Sequence, residues 1–198
     1  GKSTLVRQLV VELEGLGWCV RCSRNALIVD NPIAMVADIE RKKDNVCLNK
    51  TMLLFLSSHL YDAHKFKKPP TNTVHLQDSS WLRTVAFNVV RGNTEFLSLL
   101  EVVITLQPTF DLVIYLTADI ESRKKRVLER EHQVPGENDK SDYLAHFDPE
   151  LLVRNDKALL EAAKRYCGRV DVVDTSILTK GEVLSEVLSL LKNRRMVY

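Results

Sequence analysis

The chain has 198 residues, 45% of them hydrophobic and 27% charged, which is enough apolar material for one compact domain with a full core. Its 28 basic and 26 acidic residues leave a net charge of +2, too even a balance for a dedicated nucleic-acid binder. No apolar run approaches the roughly 20 residues of a membrane-spanning helix, and none reads as a secretory signal. The four cysteines, Cys19, Cys22, Cys47 and Cys167, give one C-x-x-C spacing without a matching second pair. That points to reduced thiols in a cytoplasmic protein rather than to zinc or redox chemistry.

In chain order, Leu5, Leu9 and Leu13, with Val6 and Val10, recur at helical spacing and predict a helix over about 2–16, ended by Gly15 and Gly17. Residues 18–23 (WCVRCS) read as a strand, with 26–29 as an extension. Asp30 is the expected N-cap of a helix over 32–42, with Pro32 just inside it. A long helix is predicted over 47–66, with Leu53, Leu54, Leu56 and Leu60 as apolar positions and Pro69 and Pro70 as its breakers. A short strand, TVHLQ, covers 73–77, and helices follow at about 80–90 and 93–106, with Pro108 as punctuation. Residues 112–116 (LVIYL) read as the clearest buried strand, and a strongly charged helix follows over 119–131. Residues 133–142 are polar and irregular; a helix over 148–167, a strand over 170–173 and a last helix over 180–193 complete the chain. Strands alternate with helices throughout. That order predicts an α/β fold: one domain over 1–198, a parallel sheet between two helical layers, right-handed crossovers, and ligands beyond the carboxyl ends of the strands.

The first four residues, GKST, match the end of a phosphate-binding loop, G-x-x-x-x-G-K-[ST]. The first glycine, four loop residues and a buried strand would precede Gly1, so the sequence reads as a piece of a longer chain that lacks the first strand. Backbone N–H groups at a helix N-terminus face outward with partial positive charge, which suits phosphate. Gly1, Lys2, Ser3 and Thr4 are thus candidates for ATP, with Lys2 reaching the outer phosphates and the Ser3 hydroxyl on Mg²⁺. An ordinary N-cap at Ser3 is the simpler alternative.

A second signal lies in ESRKKRVLERE, 121–131, directly after LVIYL and an Ala-Asp turn. Arg126 and Arg130 are four apart and share one helix face. The segment 126–147 reads as a lid whose arginines would stabilise the charge that spreads over a moving phosphoryl group. The plainer alternative is a solvated face on which Glu121, Glu129 and Glu131 pair the bases.

The order of these motifs resembles the thymidylate kinase branch of the phosphate-loop nucleoside and nucleotide kinases, over nearly the whole chain. The resemblance rests on GKST, Arg24 in SRN, LLF at 53–55, Asp78, the Ala86-Phe87-Asn88 segment, LVIYLTADIESRKKR, and VDVVDTS followed by GEV. It implies ATP-dependent phosphoryl transfer to a nucleoside monophosphate, with a pyrimidine deoxynucleotide such as dTMP as the expected acceptor and a homodimer built on the long helices. It also implies roles for individual residues. Phe55 would stack on the acceptor base, and Arg24 would meet its phosphate. Asp78 would sit near Mg²⁺ and the phosphates, and Phe87 and Asn88 would line the acceptor pocket. Arg126 and Arg130 would grip the transferring phosphates, and Asp174, Thr175 and Ser176 would pack on adenine.

Three acceptor-side positions depart from the family pattern. Ser79 stands where the family usually has arginine, and Arg83 is its nearest replacement. His59 stands at another arginine position, and is the candidate substrate contact there. Asn25 replaces an acidic residue and cannot act as a base near neutral pH. A different reading follows from these: a nucleotide-binding switch or regulatory module without acceptor phosphorylation, or a kinase for a deoxynucleoside or another small molecule. Of the remaining residues, the five histidines form no zinc-hydrolase pattern. His59 and Asp62 are expected to pair, Trp18 and Trp81 to pack, Trp81 having the pocket wall as its alternative place, and 192–195 (KNRR) to compensate the last helix dipole.

Overall fold

A computed structural model describes residues 2–134 and 143–194. The chain divides into two compact units, the first comprising Val6–Phe110 and the second Gly1–Leu5 with Asp111–Tyr198. Helix α1 (Lys2–Gly15) begins in the second unit and continues in the first. Its leucine stripe is buried as predicted, Leu5, Leu9 and Leu13 all facing inward.

In the first unit, α1 is followed by β1 (Cys19–Arg24), α2 (Pro32–Arg41), α3 (Leu48–Lys65), β2 (Thr73–Asp78), α4 (Leu82–Val90) and α5 (Thr94–Thr105). Strands β1 and β2 are parallel, in register from Cys19↔Thr73 to Arg24↔Asp78. Helices α2 and α3 pack together, and α5 packs on both α3 and α4. Ala37, Met52, Trp81, Val85, Ala86, Leu100 and Val103 fill the core. Trp81 is a packing residue, stacked on Phe110 at 6.4 Å between ring centroids, rather than a pocket wall.

Three expectations change here. Residues 26–29 do not extend β1: Asn25 takes a left-handed backbone (φ 64°), and the Leu27 and Ile28 amides bond to the Asp62 carboxylate instead of to a strand. The N-cap of α2 is Asn31 rather than Asp30; its Oδ1 accepts from the amides of Ile33 and Ala34. In α3, Leu53 and Leu60 are 51% and 42% exposed, and the buried positions are Thr51, Met52, Ser58, His59 and Asp62. A polar interior is stable there because several of these side chains find hydrogen-bond partners.

The second unit contains β3 (Val113–Thr117), α6 (Ile120–Gln133), α7 (Leu144–Phe147), α8 (Pro149–Tyr166), β4 (Val170–Asp174) and α9 (Lys180–Asn193). Strands β3 and β4 are parallel, from Val113↔Val170 to Thr117↔Asp174. Strand β3 is half-buried along its whole length rather than fully buried, since it has a strand neighbour on one side only among the described residues. The short helix α7 falls within the segment expected to act as a lid; residues 135–142 of that segment lie outside the described residues. Helix α9 starts on a capping box, Thr179 with Glu182. Arg194 pairs with Asp171 on β4, at 2.7 Å from Nη2, which gives part of the terminal basic run a structural partner. Among the described residues, no helix is long and apolar enough to cross a membrane.

Candidate functional site

Parallel strands deliver their carboxyl ends, and the loops that follow, to one edge of each sheet. In the first unit that edge carries Arg24 and Asp78, which are partners in the register. Arg24 Nε lies 4.0 Å from Asp78 Oδ2, with the arginine side chain 74% exposed and the aspartate 9%. The Asn25 amide donates to the Asp78 carbonyl at 3.0 Å, so the two strand ends are joined by backbone as well. Both strands leave the sheet through a left-handed residue, Asn25 after β1 and Ser79 after β2, at φ 64° and 70°.

The loop after β1 hangs on one buried carboxylate. Asp62 accepts from the amides of Leu27 at 2.8 Å and Ile28 at 3.1 Å, and from Asn31 Nδ2 at 2.9 Å. Asn31 also donates to the Ser58 carbonyl at 3.0 Å. These contacts position the chain that carries Arg24 and Asn25. Asp62 and Asn31 were both missed as site-supporting residues, since a polar residue on a predicted apolar helix carries no sign of its partner.

The expected acceptor contacts divide. Phe55 and Phe87 are half-buried, and the Arg91 guanidinium lies over the Phe87 ring at 4.1 Å. Arg83 is exposed on α4. His59, by contrast, is 4% exposed, and its Nε2 lies 3.0 Å from Thr84 Oγ1. Burial pushes its pKa down to about 4, so it is neutral and does not pair with Asp62. Asn88 is fully buried and donates to the Thr84 carbonyl at 2.8 Å. His59 and Asn88 thus serve helix packing in this arrangement.

In the second unit, the edge is built by the loop after β4 and the start of α6. Asp119 caps α6, accepting from the Ser122 amide at 2.7 Å. The Ser122 hydroxyl donates to Asp119 Oδ2 at 2.9 Å and lies 3.1 Å from the Ser176 carbonyl. Ser176 in turn donates from both its amide (2.9 Å) and its hydroxyl (2.6 Å) to Asp174 Oδ1. These bonds hold both carboxylates below the usual range: Asp119 through the Ser122 amide and hydroxyl, Asp174 through the Ser176 hydroxyl and amide. Arg126 donates to Thr175 Oγ1 at 2.9 Å and to the Thr175 carbonyl. Arg126, Asp174, Thr175 and Ser176, predicted on separate elements, are therefore brought together. Ser122, Lys125, Arg126, Glu129 and Ser176 line an open polar cleft of about 230 Å³. Two of the Arg126 guanidinium nitrogens are engaged by Thr175, and Arg130 lies one turn further along α6. Two acids of α6 pair with lysines, Glu121 with Lys124 at 2.9 Å and Glu129 with Lys125 at 3.9 Å, and Glu131 accepts from the Tyr143 hydroxyl at 2.9 Å. Ser122 and Asp119 were also missed, although Asp before a helical run is a recognisable cap signal.

Lys2, Ser3 and Thr4 form the first turn of α1, which contains no acidic residue of its own. That fits a phosphate group. The Ser3 hydroxyl of the second unit is a hard oxygen donor of the kind Mg²⁺ takes, and so, taken by itself, is the Asp78 carboxylate of the first unit. The cysteines are free thiols, and Cys19 and Cys22, three apart on β1, point to opposite faces of the strand.

No protein-family profile matches the sequence, and no curated protein matches it. Among solved structures, the chain is similar to thymidylate kinase from Candida albicans, with a TM-score of 0.68 and 14% identity, covering 98% of this chain and 87% of that one. At this identity the likeness is one of fold, and it establishes that the α/β arrangement of parallel strands and helices is a P-loop kinase-like fold of the thymidylate kinase kind.

Proposed function

We propose that the protein transfers a phosphoryl group from ATP to a nucleoside monophosphate, with a pyrimidine deoxynucleotide such as dTMP as acceptor. The observation that carries this reading is GKST opening α1 within a fold like that of a thymidylate kinase. Lys2 and the first-turn amides of α1, with Gly1 ahead of them, bind the outer phosphates. Mg²⁺, when bound, would neutralise charge on the phosphates; the Ser3 hydroxyl is the candidate ligand on α1, and Asp78 is a candidate by the resemblance alone. Arg24, exposed at the end of β1, meets the acceptor phosphate, and Arg83 supports it from α4. Phe55 and Phe87 supply the apolar walls for the base. Thr175, tied to Arg126, and Ser176, tied to Asp174, form the floor for adenine. Arg130 follows the phosphoryl group from α6. A monophosphate oxygen is already ionised at neutral pH, so Asn25 in place of an acid removes no necessary base. We further propose a cytoplasmic homodimer; the exposed Leu53 and Leu60 on α3 and Leu99, Val102 and Leu106 on and just beyond α5 support an apolar contact.

A coupled assay with ATP and pyrimidine monophosphates, on a chain carrying the whole phosphate loop, is expected to show turnover. Lys2→Ala is expected to lower kcat/KM about 100-fold or more. Absence of turnover with every monophosphate and nucleoside would overturn the reading.

The burial of His59 and Asn88 favours a second reading, a nucleotide-binding regulatory protein without acceptor phosphorylation. It predicts tight ATP or ADP binding and no monophosphate affinity. Saturable monophosphate binding by calorimetry decides for the kinase.

A further inference from the structure

One side chain at the edge of the first unit's sheet has no role in the proposed reaction, yet it touches both loops there. Gln77 is the penultimate residue of β2 and the register partner of Ser23 on β1. Its Nε2 donates to two carbonyl oxygens, that of Ala26 at 3.2 Å and that of Ser79 at 2.6 Å. Its Oε1 accepts from the Ser23 hydroxyl, and Ser23 Oγ lies 2.7 Å from His75 Nε2. The amide's orientation follows from its partners, since only the nitrogen can serve two carbonyls and only the oxygen can receive a hydroxyl proton. Ser23, whose hydroxyl donates to Gln77, accepts from His75 Nε2–H. The bonds therefore run one way, from His75 through Ser23 and Gln77 to two backbone oxygens in two different loops.

Those oxygens flank the strained part of the edge. Ala26 follows Asn25, and Ser79 is itself the second left-handed residue. Residues with a side chain adopt this conformation at a cost, so it persists only where the surroundings hold it. Gln77 closes on both turns from a single atom. Arg24 and Asp78 stand immediately before the two turns, 4.0 Å apart.

We propose that Gln77 is a positioning residue that locks the two left-handed turns against each other and so sets the Arg24–Asp78 pair for the acceptor phosphate. This rests on the kinase reading above. Gln77→Leu keeps the bulk and removes both donors. Gln77→Asn keeps the amide and shortens its reach, and carries the same test should the leucine variant fail to fold. His64→Ala, at an exposed position of α3, is the control. With the chain carrying its whole phosphate loop, the monophosphate KM is expected to rise about tenfold in Gln77→Leu, with the ATP KM unchanged. A merely structural role would lower the melting temperature and the active fraction and leave both KM values alone, and that result overturns the proposal. Should the wild-type chain turn over no monophosphate, the kinase reading falls separately. The lock is then decided by amide hydrogen exchange: Asn25, Ala26 and Ser79 are expected to exchange about tenfold faster in the variant, and unchanged rates refute it.

Discussion

Two strand-to-helix loops, one in each unit, are secured in opposite ways. The loop after β1 is tied to Asp62, a carboxylate 2% exposed that serves two amides and one side-chain amide. The loop after β4 is tied by Asp119, Ser122, Asp174, Ser176 and Arg126, mostly at the surface. A buried carboxylate has no water to replace a lost partner, so its bonds fix one conformation. Surface bonds exchange with water at little net cost. The first loop is thus built to stay, whereas the second can yield its polar groups to a ligand in the cleft.

The largest expected effect is at the buried anchor. Asp62→Ala takes the acceptor from two backbone amides and leaves Asn31 with Ser58 alone, and is expected to cost about 3 kcal/mol or more in urea unfolding. A loss no larger than that of Arg126→Ala would break the contrast between the loops. The next effect is acid sensitivity on the buried side. His59 stays neutral in the fold down to about pH 4, while the unfolded chain binds a proton below about 6.5. Stability contributed by the neutral ring is therefore full above the unfolded value and falls as pH drops toward the folded one. Unfolding at pH 5 against pH 7.5 is expected to show a loss about 2 kcal/mol larger in the wild type than in His59→Gln. His75, also depressed by burial, adds in the same direction in both proteins. An equal loss in His59→Gln would remove His59 as the cause. The smallest effect is at the exposed tie. Arg126→Ala is expected to cost about 1 kcal/mol, since Thr175 keeps its bond to the Thr117 carbonyl and water replaces the guanidinium. A cost matching Asp62→Ala would show that the second loop is as rigidly fixed as the first.

Much of this architecture is legible from local pattern. The leucine stripe of α1, Pro32 at the start of α2 and the LVIYL strand followed by a charged helix all place elements correctly, because periodicity and caps act within a few residues. Arg126 with Thr175 and Ser176 was legible through resemblance alone, 49 residues separating the two ends of the arginine's bond. The inside of α3 was not legible. Its leucines look like a core face, but Asp62, Ser58 and His59 occupy the interior by satisfying groups on loop and helix that the sequence cannot place beside them. The same holds for Gln77, an ordinary strand residue until its two carbonyl partners are known.

The left-handed residues at the ends of β1 and β2 change what a departure from a family pattern means. By the resemblance drawn from the sequence, Asn25 and Ser79 stand where an acid and an arginine are expected, and as side chains they look like two lost charges. As backbone they are two bends, and asparagine is among the few non-glycine residues that visit this conformation readily. At these two positions the side chain and the change in chain direction are therefore to be read together.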